Sequence, residues 1–588
     1  MSKPPQFNRP SGTLPQRASI NDLLADGLRL HQSGKRPDAA RLYEQVLARE
    51  PEQPAANHLL GLVRLQQGRP DEAVRLIGRA TKANKTDAQY FANLGVALNA
   101  AGRPAEAVGA LDRAIALKPA FPAAHSNRGM ALKALGRLDE AAASYREAIA
   151  LLPAEAGFHF NLGNTLNDAG DLDAAEAAYR EALRLRPVYP AAISGLSSVL
   201  EEQGRAEEAV GTISAALKQA PNEPECHYRL GRALYQFGRL DDALAAYRRA
   251  LALRPAYGEA QFHLAHMIRH SAADAELAAM TALFGDPAAP LEDRIYAGFG
   301  LGKALADLGE HAESITAYES ANALRRPRLD VSLAAAEAEF SFVSGMFRGV
   351  PESMLAGGYR DEAPIFVVGL PRSGKSTIEA ILALHTDVHA GGELRLLSQL
   401  VDRSGLGQAA NAADIAPQRF VDLGADYARH IRELAPGGKR VTDTMPPNFR
   451  LIGLIRAALP EARIIHCVRD PAEHCIAIFE KYLTRGGYDY AADLAELAAY
   501  HRAYRQLMAD WHALFPGFIH DVNVSALSAD RTTGVRELLH FAGLSWHPAC
   551  LTATESEPQM GEWSSDRRAE NRSAHLAEWK RLHPELWS

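Results

Sequence analysis

Between Ile20 and about His270, small and apolar residues recur three and four positions apart, the spacing that gathers them on one face of a helix. In the stretch LDAAEAAYREALRLRP the pattern runs until Pro187 stops it. Glycines interrupt the pattern at a fixed interval: Gly34, Gly68, Gly102, Gly136, Gly170, Gly204 and Gly238, each 34 residues after the last. Seventeen residues beyond each of them, Pro51, Lys85, Pro119, Pro153, Pro187, Pro221 and Pro255 keep the same phase. This predicts two antiparallel helices per unit, one ending near the glycine and one at the proline position. Seven units in one register predict an all-α solenoid over 20–271. From 272 to 360 the helical pattern persists but the register slips, Gly309 lying 71 residues after Gly238. A degenerate helical connector is expected there.

The pattern changes kind after 361. Short apolar runs, Ile365 to Val368, Ile464 to Val468 and Phe518 to Val524, alternate with helical stretches, as in an α/β domain with a parallel sheet. The first run leads into PIFVVGLPRSGKST, a strand, a glycine-containing loop and the start of a helix. Such a loop directs backbone N–H groups and a helix N-terminus at one point, where an anion is favoured. Arg372 and Lys375 add positive charge. Gly369, Gly374, Lys375 and Ser376 fit the spacing G-x-x-x-x-G-K-[ST] of nucleoside-triphosphate sites, so a P-loop kinase or NTPase using ATP and magnesium is one reading.

Composition narrows the setting. A chain of 588 residues exceeds what one hydrophobic core supports, so several domains are required. A net charge of −7 argues against a general nucleic-acid binder. Four cysteines without paired spacing suit a reducing compartment, and the cytoplasm is the expected location. The first 19 residues have no apolar signal core and are expected to form a disordered arm, and no membrane span is expected. His466, His474 and His501 lack metal-ligand spacing, so no metal site is expected.

Two resemblances sharpen these expectations. The 34-residue period, with Gly163, Ala175, Tyr179, Ala182 and Pro187 in place, resembles tetratricopeptide repeats (TPR), which implies a groove for a protein or peptide partner. Asn93, Asn127 and Asn161 share one phase and resemble the asparagine ladder of O-GlcNAc transferase superhelices, which implies that their amides hold an extended peptide. Gly195 and Arg229 interrupt the ladder. The second resemblance is to sulfotransferases of the tyrosylprotein and bacterial TPR-linked type. It rests on GLPRSG, on Gly-Glu-x-Arg at Glu393 and Arg395, on TDTMPPNF, on the strand end Arg469-Asp470-Pro471, and on FAGLSWHPACL.

This likeness implies a P-loop-like sulfotransferase domain over 361–588, transferring a sulfuryl group from 3′-phosphoadenosine 5′-phosphosulfate (PAPS) to a hydroxyl, without a required metal. Arg372, Ser373, Gly374, Lys375, Ser376 and Thr377 are then expected to hold the 5′-phosphosulfate, and Arg469 the 3′-phosphate. Ser564 and Arg568 match a nucleotide-contacting run near the C-terminus. Glu393 is implied as the base, Arg395 as an acceptor-orienting residue, and Arg372 and Lys375 as charge-stabilising groups. Two departures matter. Thr444 replaces the usual bridging lysine, for which Lys375 is a candidate substitute, and Ala477 replaces a phosphate-binding serine. They keep a third reading open, a TPR scaffold whose transferase domain has decayed.

Overall fold

The computed structural model describes residues 18–271, 275–435, 437, 439–483, 488–553 and 565–587. Most of the expected N-terminal arm, 1–17, lies outside them. The chain divides into two compact units, residues 1–239 and 240–588.

In the first unit, helices of 13 and 14 residues alternate, from Ile20–Gln32 and Arg36–Arg49 to Pro190–Glu202 and Ala206–Gln219, followed by Pro224–Gln236. The periodic glycines adopt left-handed backbone, φ between 69° and 79°, a region that a β-carbon penalises. The small position inside each first helix has a separate cause. A β-carbon at Gly163 would stand 2.8 Å from ring carbons of Tyr179, and one at Gly129 would meet Tyr145 equally closely. Glycine therefore lets each aromatic ring lie flat against the facing helix, and Tyr179 is 1% exposed. Asn93, Asn127 and Asn161 sit on the first helices of successive pairs, each half-buried. Asn93 Nδ2 also reaches His58 Nε2 at 2.7 Å.

The second unit opens with helices Leu240–Leu253, Gly258–Met267, Ala275–Gly285, Leu291–Leu308 and His311–Arg325. The last two keep the repeat logic after the register slips. Gly309, at φ 83°, ends the first of them, and a β-carbon at Gly302 would meet the Tyr318 ring at 2.8 Å, as at Gly163 and Tyr179. These helices share one hydrophobic core with the sheet: Phe262, Phe299 and Tyr318 belong to the same buried cluster as Phe366, Phe449 and Trp511.

The sheet has five strands: β1 Pro364–Val368, β2 Val388–Ala390, β3 Arg440–Asp443, β4 Arg463–Val468 and β5 Ile519–Asn523. All pairs are parallel, in the order β2-β3-β1-β4-β5. Helices cover both faces, which explains why β1 is an unbroken apolar run. Ile365 and Val367 face helices Lys375–Ala383 and Arg531–Phe541, while Phe366 and Val368 face the large core. The chain leaves β1 toward one edge and returns past it to β4. The loops after β1 and β4 therefore open a crevice at the carboxyl ends of adjacent strands, where α/β sheets place their ligands. Among the described residues, no helix is long and apolar enough to cross a membrane.

Candidate active site

The loop Gly369–Gly374 joins β1 to the helix Lys375–Ala383, whose N-cap Gly374 has φ 99°. Gly369 has φ 151°, and a β-carbon there would meet Ser373 Oγ at 2.5 Å, so neither glycine position tolerates a side chain. Arg372, exposed at the crest, has φ 65°, and it alone among the described non-glycine residues has positive φ. Backbone strain of this kind costs about 1–3 kcal/mol and persists where surrounding contacts impose it.

Those contacts are visible carbonyl by carbonyl. Lys375 Nζ donates to Gly369 O and Leu370 O, both at 3.2 Å. His474 Nε2 donates to Pro371 O at 2.9 Å, and Arg469 Nη1 to Arg372 O at 3.3 Å. Four successive carbonyl dipoles, each of which would repel an anion, are thus held by donors, two of them cationic. His474 does this as a neutral ring, because its Nδ1 accepts from His501 Nε2 at 3.1 Å. Burial, and the neighbouring ring in the case of His474, lowers these imidazoles to about 3 and about 4, so both stay neutral at physiological pH. The pair, unremarkable in the sequence, is a brace for the loop.

Positive charge collects at the loop. Arg469 follows the end of β4, and burial, then Arg572, and also Arg372 hold its guanidinium below the ordinary arginine range. Cations that repel one another at a half-buried site favour an anion between them. Ser373 Oγ is buried without a protein hydrogen-bond partner, a donor a phosphate or sulfate oxygen would satisfy. The buried Ser373, the glycine cradle and the arginines all suit the 5′-phosphosulfate and 3′-phosphate of PAPS. Ser376 is exposed and Thr377 half-buried in the first turn of the helix. Burial lowers the Lys375 ammonium, while Cys467 and Glu393 pull the other way, which places the Glu393 carboxylate within electrostatic reach of the loop lysine.

Glu393 and Arg395 are exposed on the turn between β2 and the helix Leu396–Ser404. The turn is bound to the end of β3 and to helix Lys375–Ala383. Thr444 N donates to Gly392 O at 2.8 Å, Gly391 N to Thr442 Oγ1 at 3.2 Å, and Gly392 N to Glu379 Oε1 at 3.0 Å. Asp443, fully buried, accepts from Tyr427 Oη at 2.9 Å, from Met445 N at 3.0 Å and from Leu394 N. Burial nevertheless pushes its carboxyl up to about 7. Asp443 thus holds the Glu393 turn through Leu394 N, and Asp470 caps helix Pro471–Phe479 by accepting from Glu473 N. Ala477, 8% exposed in that helix, offers no side-chain donor.

Ser564 lies outside the described residues, as does the side chain of Arg568, whose backbone belongs to helix Ser565–Leu582. The residue of that helix brought to Arg469 is Arg572, not anticipated from the sequence. Its anchor is Glu480, which accepts from Arg572 Nη1 at 3.1 Å, His575 Nε2 at 2.7 Å and Trp579 Nε1 at 2.8 Å. Burial opposes ionisation, but these donors outweigh it and hold Glu480 down at about 2. A carboxyl depressed in the folded state contributes stability that is complete above its unfolded value near 4.5 and lost as pH falls toward 2. Stability is thus expected to decline by roughly 3 kcal/mol between pH 5 and 2 through this group. In Glu480→Gln that part of the slope disappears; equal slopes in thermal unfolding of both proteins would show that Glu480 is not the anchor.

The second unit thus holds an α/β domain with a P-loop-like strand, loop and helix, and helical repeats precede it in the chain. Residues 364–548 match the model of the sulfotransferase family, and residues 30–94 and 92–290 match tetratricopeptide-repeat models. An uncharacterized protein of Aquifex aeolicus (strain VF5) is 26% identical over 295 residues, 48% of this chain and 39% of that protein. A putative protein-tyrosine sulfotransferase of Caenorhabditis briggsae is 28% identical over 153 residues, covering 25% and 54%. Protein-tyrosine sulfotransferase 1 of Danio rerio is 24% identical over 212 residues, covering 33% and 57%. The chain thus spans about half the length of the curated relatives it matches. Among solved structures, the MamA protein is similar at 24% identity over 29% of this chain and 92% of that one, with a TM-score of 0.27.

Proposed function

We propose that the chain transfers a sulfuryl group from PAPS to a hydroxyl on a protein or peptide, with the repeats holding the acceptor polypeptide. The observation that carries the reading is the pairing of the loop after β1 with Arg469 after β4, joined by the bond from Arg469 Nη1 to Arg372 O. The domain's family supports the reaction type, and two relatives named protein-tyrosine sulfotransferases support a polypeptide acceptor.

The donor supplies an activated sulfuryl group on a good leaving group. Ser373, Ser376, Thr377 and the N-terminus of helix Lys375–Ala383 hold the 5′ end, with Arg372 above it. Arg469, with Arg572 beside it, holds the 3′-phosphate. Glu393 takes the acceptor's proton, since a phenol with pKa near ~10 is mostly protonated at neutral pH. Arg395 orients the acceptor. Lys375 replaces the charge lost at Thr444, neutralising negative charge that builds on the leaving oxygen. Lys375→Ala is expected to lower kcat by roughly 10²–10³. Adding Thr444→Lys should restore much of it; an unimpaired Lys375→Ala enzyme removes the lysine from the chemistry.

Calorimetry tests the nucleotide assignment. The chain is expected to bind 3′-phosphoadenosine 5′-phosphate without a metal, and more tightly than ATP with magnesium. The reverse preference would support a kinase, the reading favoured by the loop's triphosphate-type spacing, and binding of neither would support a scaffold.

A further inference from the structure

His466 on β4 and Asp521 on β5 stand directly opposite each other in the parallel ladder, and their side chains meet at 2.8 Å, Nδ1 to Oδ1. His512, in the last turn of helix Leu494–Leu514, brings Nε2 to the same oxygen at 3.0 Å. One potential ligand atom from each residue falls within 4.8 Å of the other two. From this geometry we propose that His466, His512 and Asp521 form a binding site for a divalent transition-metal ion of the zinc type, separate from the donor site and independent of the sulfotransferase reading.

The donor set selects the class of ion. Two imidazole nitrogens and one carboxylate suit Zn²⁺, Co²⁺ or Ni²⁺, whereas Ca²⁺ and Mg²⁺ prefer all-oxygen shells. Coordination at about 2.0–2.2 Å requires ligand atoms slightly farther apart than the present hydrogen bonds. The two exposed partners have the freedom to move by that amount: the side chains of His512 and Asp521 are 36% and 50% exposed, against 9% for His466. The same open side gives an ion its entry path and leaves a coordination position for water.

The buried ligand already has the support that metal-binding histidines require. His466 Nε2 lies 2.6 Å from Tyr504 Oη, so a partner fixes the ring while Nδ1 points at the cluster. Tyr504 Oη is also bonded by the backbone N–H of Leu370, in the phosphate-type loop. A metal on Nδ1 places the ring proton on Nε2 and so reverses the hydrogen bond between His466 and Tyr504. The cluster is therefore one tyrosine away from the loop.

The test uses the full chain, stripped with a chelator and titrated with Zn²⁺ against a chromophoric indicator, and with Co²⁺ followed by its visible absorption. One Zn²⁺ per chain is expected to be lost, with at least a tenfold weakening, in either Asp521→Asn or His512→Ala, both substitutions at solvent-exposed positions. Tyr504→Phe should weaken binding by about tenfold without removing a ligand. The proposal fails if the Asp521→Asn/His512→Ala double variant binds Zn²⁺ as tightly and in the same amount as wild type. It fails equally if the wild-type chain takes up no Zn²⁺ at ~0.1 mM.

Discussion

Glu393→Gln is expected to lower kcat by roughly 10²–10⁴ while nucleotide affinity stays within about twofold of wild type. Glutamine keeps the size and hydrogen-bonding reach of the side chain but does not accept the proton. The turn carrying it is held through the backbone of Gly392 and through Leu394 N on Asp443, so the substitution leaves the local frame intact. The contrast with a merely electrostatic role is large. Were Glu393 only an exposed partner for a neighbouring cation, turnover would remain within about tenfold of wild type. Raising the pH gives a second discriminator, because a phenolic acceptor ionises unaided near ~10 whereas a sugar hydroxyl does not. Partial rescue of Glu393→Gln above pH 9 is expected for a tyrosine acceptor, and a flat profile would point to an alcohol.

Arg469→Ala is expected to weaken binding of 3′-phosphoadenosine 5′-phosphate by roughly 1.5–3 kcal/mol, about 10- to 150-fold. The fold should be unaffected, since the repulsion Arg469 faces from Arg572 and Arg372 is set against the attraction of Glu473 and Glu480. Arg469→Lys separates charge from shape: a point charge remains but the planar fork is lost, so an intermediate affinity is expected. Wild-type affinity in the alanine variant would mean that the 3′-phosphate lies elsewhere, and unfolding of the variant would mean that the bond to Arg372 O is structural.

Much of this site was readable because its parts are local. Strand, glycine loop and helix follow one another between Pro364 and Ala383, and backbone conformation there follows from glycines at Gly369 and Gly374. Arg469 was readable for the same reason, as the first residue after an apolar strand. Arg572 was not. It lies 103 residues further along the chain, and nothing distinguishes it in a charged run until Glu480 draws the final helix against helix Pro471–Phe479. The brace formed by His474 and His501 was equally silent, since two histidines 27 residues apart acquire a role only when burial makes them neutral and a loop carbonyl lies within reach.

The repeat register, the alternation of strands and helices after 361 and the strand, glycine loop and helix from Pro364 to Ala383 were determined by the chain alone, because periodicity, glycine conformation and proline stops act over a few residues. Tertiary structure decided what depends on distance in sequence. It set Asp443 to hold the Glu393 turn, and it drew the slipped helices Leu291–Leu308 and His311–Arg325 into the core of the sheet domain. It also brought His466, His512 and Asp521 to one point. The physical reason is common to all three: burial and hydrogen-bond partners set the charge state and role of a polar side chain, and both come from elements remote in the chain.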